Sequence, residues 1–204
     1  FQSFADTIPH DGYLVTHSDV TLTTKGHIVT TEAIKKEEIE LSVLGEHNKK
    51  NASLALMLAK SLNLDEVQAR EGLKAFSGTW RRLEYKGTQT GAFVYDDYGH
   101  HPKEIEATLQ ALRERYASPK FKLIVVFQPH LYSRTKLLLD DFSQAFTLAD
   151  TVCILPIYAA REVDDGTISS HDLVEKTHNA IYMETFDEVK KYLDKKAHSG
   201  SVVL

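Results

Sequence analysis

The hydrophobic positions of the chain fall into two regimes. Through residue 44 they come in short extended pieces: Gly12-Tyr-Leu-Val-Thr16, Gly26-His-Ile-Val-Thr30 and Glu38-Ile-Glu-Leu-Ser-Val-Leu44. The last alternates apolar and polar, as a half-buried strand does. From His47 to Leu62 the period lengthens, with Leu54, Leu58 and Leu62 four apart and Ala55 on the same face, which predicts a helix. A second helix is expected over 65–76, with Asp65 as N-cap and Val67, Leu73 and Phe76 as its apolar positions. Ser77-Gly78-Thr79 interrupts the pattern and divides the chain into 1–77 and 78–204.

Beyond that break, strands and helices alternate. The pattern predicts strands at 82–86, 91–97, 121–127, 151–155, 180–184 and 201–204, and helices at 102–117, 135–148, 170–178 and 186–196. Phe121-Lys-Leu-Ile-Val-Val-Phe127 is almost continuously apolar, as expected of a strand covered on both faces. The helix at 102–117 opens with Pro102 and carries Ile105, Leu109, Leu112 and Tyr116 on one stripe. Repeated strand–helix units mean an α/β domain, a doubly wound and mostly parallel sheet with helices on both faces. Such sheets bind ligands at the carboxyl ends of their strands.

Composition narrows the class. A length of 204 residues with 42% hydrophobic and 26% charged residues suits one large or two small globular domains. A single cysteine, Cys153, leaves no disulfide framework and no four-cysteine zinc site, and it reads as packing within an apolar strand. The net charge of −5 argues against a general binder of nucleic acid or of a membrane surface. No apolar run approaches the roughly 18–20 residues that would span a bilayer, and the first residues lack the order of a signal peptide, so a cytoplasmic protein is expected. The chain begins without methionine and stops at Ser201-Val-Val-Leu204, which reads as a strand cut before its loop and suggests a fragment.

Polar clusters fall where the strands end. Tyr95-Asp96-Asp97-Tyr98-Gly99-His100-His101-Pro102 follows a strand and opens a helix. Its carboxylates and imidazoles suit a metal, or a clamp in which a carboxylate accepts hydroxyl bonds and imidazoles face an anion; the plain alternative is an Asp that caps the helix beside an exposed His. Gln128-Pro129-His130-Leu131-Tyr132-Ser133-Arg134-Thr135 follows the buried strand and offers fixed donors for a carboxylate or phosphate, or only a cap at Ser133 or Thr135. Tyr158-Ala-Ala-Arg161-Glu162 reads either as function or as a local Arg161–Glu162 ion pair, and Trp80-Arg81-Arg82-Leu83-Glu84 suits a phosphate at the junction of the two parts. Gly45-Glu46-His47-Asn48-Lys49-Lys50-Asn51 puts Asn48 and Asn51 on one helix face, where paired donors and acceptors suit a purine edge or an Asn simply caps the helix start. No Gly-x-x-x-x-Gly-Lys-Ser/Thr loop, no Gly-x-Gly-x-x-Gly and no Gly-x-Ser-x-Gly elbow occurs in the sequence.

Taken in order, these clusters resemble the Mur ligases of peptidoglycan synthesis. Gly-Glu-His47-Asn48-Lys-Lys-Asn51-Ala is similar to the family's G-x-H-N-x-x-N-A, and Phe76-Ser-Gly78-Thr-Trp-Arg81-Arg82-Leu-Glu84 to its F-x-G-x-x-R-R-x-E. Asp96-Asp97-Tyr98-Gly99-His100-His101-Pro102 and Gln128-Pro-His130-Leu-Tyr-Ser-Arg134-Thr135 resemble D-D-Y-G/A-H-H-P and Q-P-H-x-[YF]-[ST]-R-T of the alanine-adding branch, and Ile157-Tyr-Ala-Ala-Arg161-Glu162 fits as well. The similarity runs from about residue 40 to 204, and five modest motifs in order are highly specific.

The resemblance implies the tail of a central ATPase domain over 1–77 and a C-terminal Rossmann-like domain binding substrate and ATP over 78–204. It implies ATP-dependent amide formation: a UDP-N-acetylmuramate carboxylate is activated as an acyl phosphate, and the amine of L-alanine displaces phosphate. On the matching positions, His47, Asn48 and Asn51 would face the adenine, Arg82 would reach the phosphates and serve catalysis, and Asp97 would hold the ribose. Tyr98, His100, His130 and Arg134 would bind the alanine and acyl end, with His100 also catalytic. Mg²⁺ would be held mostly by residues outside this chain, so no metal ligand is assigned within it. Leu131 stands where some alanine-adding members have arginine, and residues 18–44 look short for the region they represent. The chain alone is expected to be inactive. The rival readings are the recycling ligase that adds a tripeptide to UDP-N-acetylmuramate, a non-catalytic nucleotide-binding module, and a metallohydrolase using Asp97, His100 and His101.

Overall fold

The computed structural model describes residues 1–31 and 39–204. The chain divides into two compact units, Phe1–Gly78 and Thr79–Leu204.

The first unit contains α1 (Gln2–Ala5), β1 (Tyr13–His17), β2 (His27–Thr31), α2 (Glu46–Ser61) and α3 (Glu66–Ala75). β1 and β2 pair in parallel, with Tyr13 opposite His27 and His17 opposite Thr31. Asp65 caps α3 by accepting the Gln68 N–H at 2.9 Å. The α2 stripe expected from the four-residue spacing is the open one: Leu58 is 42% and Leu62 is 52% exposed, while Ala52 and Leu56 are buried against Ile39. Leucine spacing marks a helix face, and only the neighbouring elements decide whether that face is covered. No strand forms over Ile39–Leu44, and Glu38 lies outside the described residues. That segment is tied sideways to α3 instead: Ser42 Oγ donates to the Lys74 carbonyl, and Lys74 Nζ lies 2.7 Å from Glu40 Oε2.

The second unit contains β3 (Glu84–Gln89), β4 (Ala92–Asp96), α4 (Pro102–Arg115), β5 (Lys122–Phe127), α5 (Tyr132–Leu137), α6 (Leu139–Ala145), β6 (Thr151–Ile154), α7 (Ser170–Lys176), β7 (Ala180–Tyr182), α8 (Phe186–Lys196) and β8 (Ser201–Val203). Its sheet has the order β3-β4-β8-β5-β6-β7. Only the β3–β4 hairpin is antiparallel; the other neighbours pair in parallel. One face packs Leu109 and Leu112 of α4, Phe142 of α6 and Leu173 of α7 on Leu123, Val125, Phe127 and Val152. The other packs Tyr192 and Leu193 of α8 on Ile124, Cys153 and Val203. The apolar run at β5 is therefore covered on both sides, as a central parallel strand requires. The helix expected over 135–148 is two helices broken at Leu138 (φ −111, ψ 22), and it starts earlier, so Tyr132, Ser133 and Arg134 are helical.

β8 lies between β4 and β5, which places the carboxyl ends of the three strands side by side. At the opposite end Arg113 locks α4 to the sheet. Its Nη2 lies 2.6 Å from Asp150 Oδ2, its Nε reaches the Leu148 carbonyl, and Asp150 also accepts the Leu123 N–H at 2.7 Å. Burial by itself would raise the Asp150 carboxyl, but these hydrogen bonds, led by that of Arg113, hold it below its ordinary range.

Candidate active-site cleft

A cleft of about 420 Å³ opens at those carboxyl ends within the second unit. Residues 81 and 95–100, the end of β5 with Gln128, His130 and Arg134, Leu155 beyond β6, Tyr158, Phe186 and Leu204 line it. It thus collects Asp97, Tyr98, His100, His130 and Arg134 from two loops that the sequence separates by about thirty residues.

The first wall is the segment after β4. Both oxygens of Asp97 are used: Oδ2 accepts the Leu83 N–H and Oδ1 the Gly99 N–H, each at 2.7 Å. A carboxylate oxygen has lone pairs to spare after one such bond, so Asp97 is oriented and can still accept ligand hydroxyls. Gly99 permits the arrangement, because a Cβ there would stand 2.8 Å from Asp97 Oδ1. His100 Nδ1 lies 3.0 Å from the Tyr98 carbonyl, the rings of Tyr98 and His100 meet edge to face at 5.2 Å, and the His100 N–H donates to Glu104 Oε2. Burial works to raise the Glu104 carboxyl, but the His100 N–H and the nearby charges of His100 and Arg82 hold it below its ordinary range.

The cap of α4 is His101, whose Nδ1 accepts the Lys103 N–H, and not an Asp as the plain alternative had it. Among the described residues no three His, Cys, Asp or Glu side chains gather in a way that would hold a metal ion. Asp96 Oδ2 lies 3.5 Å from Arg81 Nε, and each Asp97 oxygen already accepts one backbone N–H.

The second wall follows β5. Leu131 adopts φ +73, and its N–H donates to the Tyr158 carbonyl, while the Tyr158 N–H donates to the Pro129 carbonyl. This bridge starts α5 early and swings Arg134 into the cleft. The rings of His130 and Tyr158 lie 5.5 Å apart, and His130 Nδ1 is buried without a hydrogen-bond partner among the described residues. An unpaired buried nitrogen costs roughly 1–3 kcal/mol unless a ligand or water meets it. Ser133 is not the cap that the plain alternative made it: its N–H and O–H both donate to Glu162. The Arg161–Glu162 pair expected from their adjacency does not form among the described contacts. These donations, the Ser133 hydroxyl first, hold the exposed Glu162 carboxyl below its ordinary range.

The paired arginines part company. Arg81 lines the cleft, whereas Arg82 does not; its Nη1 lies 3.6 Å from Glu104 Oε1. His47, Asn48 and Asn51 belong to the first turns of α2 in the other unit, where Asn48 Nδ2 donates to the Leu44 carbonyl and Asn51 is exposed. Arg81 belongs to the paired-arginine cluster read from the sequence, whereas Thr108 and Phe186 are cleft residues that motif reading missed. For Phe186 the signal was present, since it opens the helix after a strand, at a carboxyl end. For Thr108, buried within α4, there was none.

The chain is similar in sequence and fold to known proteins. The family model described as "Mur ligase, glutamate ligase domain" matches residues 81–204. A UDP-N-acetylmuramate–L-alanine ligase of Caldanaerobacter subterraneus is 37% identical over 241 aligned positions, which take in 100% of this chain and 52% of that protein. One from Agathobacter rectalis is 44% identical, over 82% of this chain and 37% of its own length. The chain therefore spans about half or less of the curated relatives it matches. Aligning 204 residues across 241 positions leaves at least 37 positions of the Caldanaerobacter protein without a counterpart here. The crystal structure of the UDP-N-acetylmuramate-alanine ligase of Thermotoga maritima superposes with a TM-score of 0.66 at 30% identity, covering 81% of this chain and 35% of that one. A murein peptide ligase of Psychrobacter arcticus shares the fold, with a TM-score of 0.65 at 21% identity over 99% of this chain and 49% of its own. No described helix is long and apolar enough to cross a membrane. The chain belongs to the Mur ligase family.

Proposed function

We propose that this chain is part of an ATP-dependent ligase that joins L-alanine to UDP-N-acetylmuramate in peptidoglycan precursor synthesis, acting in the bacterial cytoplasm. The observation that carries the reading is the convergence of Asp97, Tyr98, His100, His130 and Arg134 on one cleft. A carboxylate oxygen of UDP-N-acetylmuramate displaces ADP from the γ-phosphorus of ATP. The amine of L-alanine then attacks the acyl phosphate, inorganic phosphate leaves, and the amine proton is passed on. Chemistry of this kind depends on position and on neutralised charge more than on a covalent role for the protein.

In this reading Asp97, fixed by two amides, accepts the ribose hydroxyls. Tyr98 and His100 pack as one edge-to-face pair at the acyl end, with His100 placed to take the amine proton. Arg134 supplies bidentate donors to a carboxylate, and the unpaired His130 Nδ1 meets a polar group of the bound substrate. His47, Asn48 and Asn51 recognise the adenine from the first unit, which serves as the tail of the central ATPase domain, and Arg82 turns from Glu104 to the phosphates. Mg²⁺ would be held mostly on residues beyond this chain.

The test is an ATP-dependent ligation assay on the full-length protein with UDP-N-acetylmuramate and either L-alanine or the murein tripeptide. L-alanine is expected to be the better amine. Preference for the tripeptide would make the protein a recycling ligase, and no ligation with either amine would leave only a nucleotide-binding module. The 204-residue chain by itself is expected to show no alanine-dependent ATP hydrolysis.

A further inference from the structure

We infer that Arg81, the first of the paired arginines, is an anion-contacting residue of the cleft, and that its left-handed backbone is what aims it there. The identity of the anion rests on the ligase reading; the contact itself does not.

Arg81 adopts φ +55 and Leu83 φ +47, a region that L-residues with side chains seldom occupy and that glycine fills at no steric cost. A tight turn would be served better by glycine at position 81, so the turn alone does not account for arginine. The strained backbone is held from outside. The Arg81 N–H donates to Glu84 Oε2 at 3.0 Å, its carbonyl accepts the Tyr98 N–H at 2.8 Å, and two residues on the Leu83 N–H donates to Asp97 Oδ2. The Leu83–Asp97 and Tyr98–Arg81 bonds tie the 81–83 turn to the segment after β4, and both Arg81 and Asp97 line the cleft. Strain held this firmly at a cleft residue is the pattern of a functional position.

The side chain is aimed but not consumed. Its guanidinium carbon sits 4.9 Å over the Tyr98 ring, and Nε lies 3.5 Å from Asp96 Oδ2, a single long contact between half-exposed groups. Neither Nη group has a hydrogen-bond partner among the described residues. An arginine built to brace the fold looks like Arg113, with three anchors. Arg81 instead presents a planar fork with free donors to the cavity, which matches a phosphate or carboxylate edge.

The test titrates inorganic pyrophosphate into the chain and into its Arg81→Gly and Arg81→Gln variants, with thermal melts of each. Glycine should relieve the backbone, so Arg81→Gly is expected to melt at or above the parent temperature, while glutamine retains the strain and removes only the charge. Both are expected to bind pyrophosphate on the order of tenfold more weakly or worse, the usual loss for a charged hydrogen bond. A folded variant that binds within twofold of the parent, or a parent chain that takes up no pyrophosphate, would overturn the inference. ATP held no more tightly than tripolyphosphate, with both still dependent on Arg81, would count against the nucleotide reading and leave the anion contact standing.

Discussion

At the scale of single residues the cleft is governed by side chains that orient one another through the backbone. Asp97 is the clearest case, because its two oxygens each hold one amide before any ligand arrives. Asp97→Asn puts an amide nitrogen against an N–H donor, and it is expected to destabilise the second unit by about 1–3 kcal/mol in urea unfolding. Gly99→Ala is subtler: the added Cβ would meet Asp97 Oδ1 at 2.8 Å and push the carboxylate off its bearing. In the full-length protein this variant should raise the KM for ATP on the order of tenfold while the melting temperature moves little. An unchanged KM would separate Asp97 from nucleotide binding. Cys153 is fully buried, with its thiol pushed up to about 11 by burial alone, so it is expected to resist alkylating reagents in the folded chain, as mass spectrometry can check.

At the scale of elements, the joint that matters most is α4 on β5, where Arg113 and Asp150 meet at the end of the sheet away from the cleft. Arg113→Ala leaves a largely buried carboxylate with only backbone and lysine partners. The expected cost is about 2–3 kcal/mol, below that of breaking a fully buried pair because both groups keep some solvent contact. The pH dependence has a definite sign. Asp150 is depressed when folded, so its stabilisation is present above the ordinary carboxylate range and is lost as pH falls through the folded value. The stability gap between the parent chain and Asp150→Asn should therefore be full near neutrality and shrink as pH falls below about 4 in unfolding titrations. A gap independent of pH would show that the pair contributes shape and not charge.

For the whole molecule, the division after Gly78 separates a unit with a small core from one with a two-sided core. Amide exchange should be slowest in β5, β6 and β8, which bury Leu123, Val152 and Val202 on one face and Ile124, Cys153 and Val203 on the other. It should be fast in β1 and β2, a lone parallel pair of five residues each. A fragment starting at Thr79 should retain the unfolding transition of the second unit. Its loss in that fragment would mean that the core of the second unit depends on the first.

Pattern alone carried the second unit nearly to its element boundaries, because parallel strands buried on both faces are continuous apolar runs and their helices carry one clear stripe. The family too was legible, since ligand-binding loops keep their residue order whatever the packing around them. What pattern could not decide was burial and aim. Leu58 and Leu62 make a helical face that stays exposed, and Ile39–Leu44 alternates like a strand but pairs with no strand among the described residues. His101 became the cap, Ser133 was taken by Glu162, and of two adjacent arginines only Arg81 faced the cavity. Periodicity reports how a segment would present its side chains. Which of them meets a partner, a cavity or water depends on contacts between segments distant in the chain, and those exist only once the sheet has brought the strand ends together.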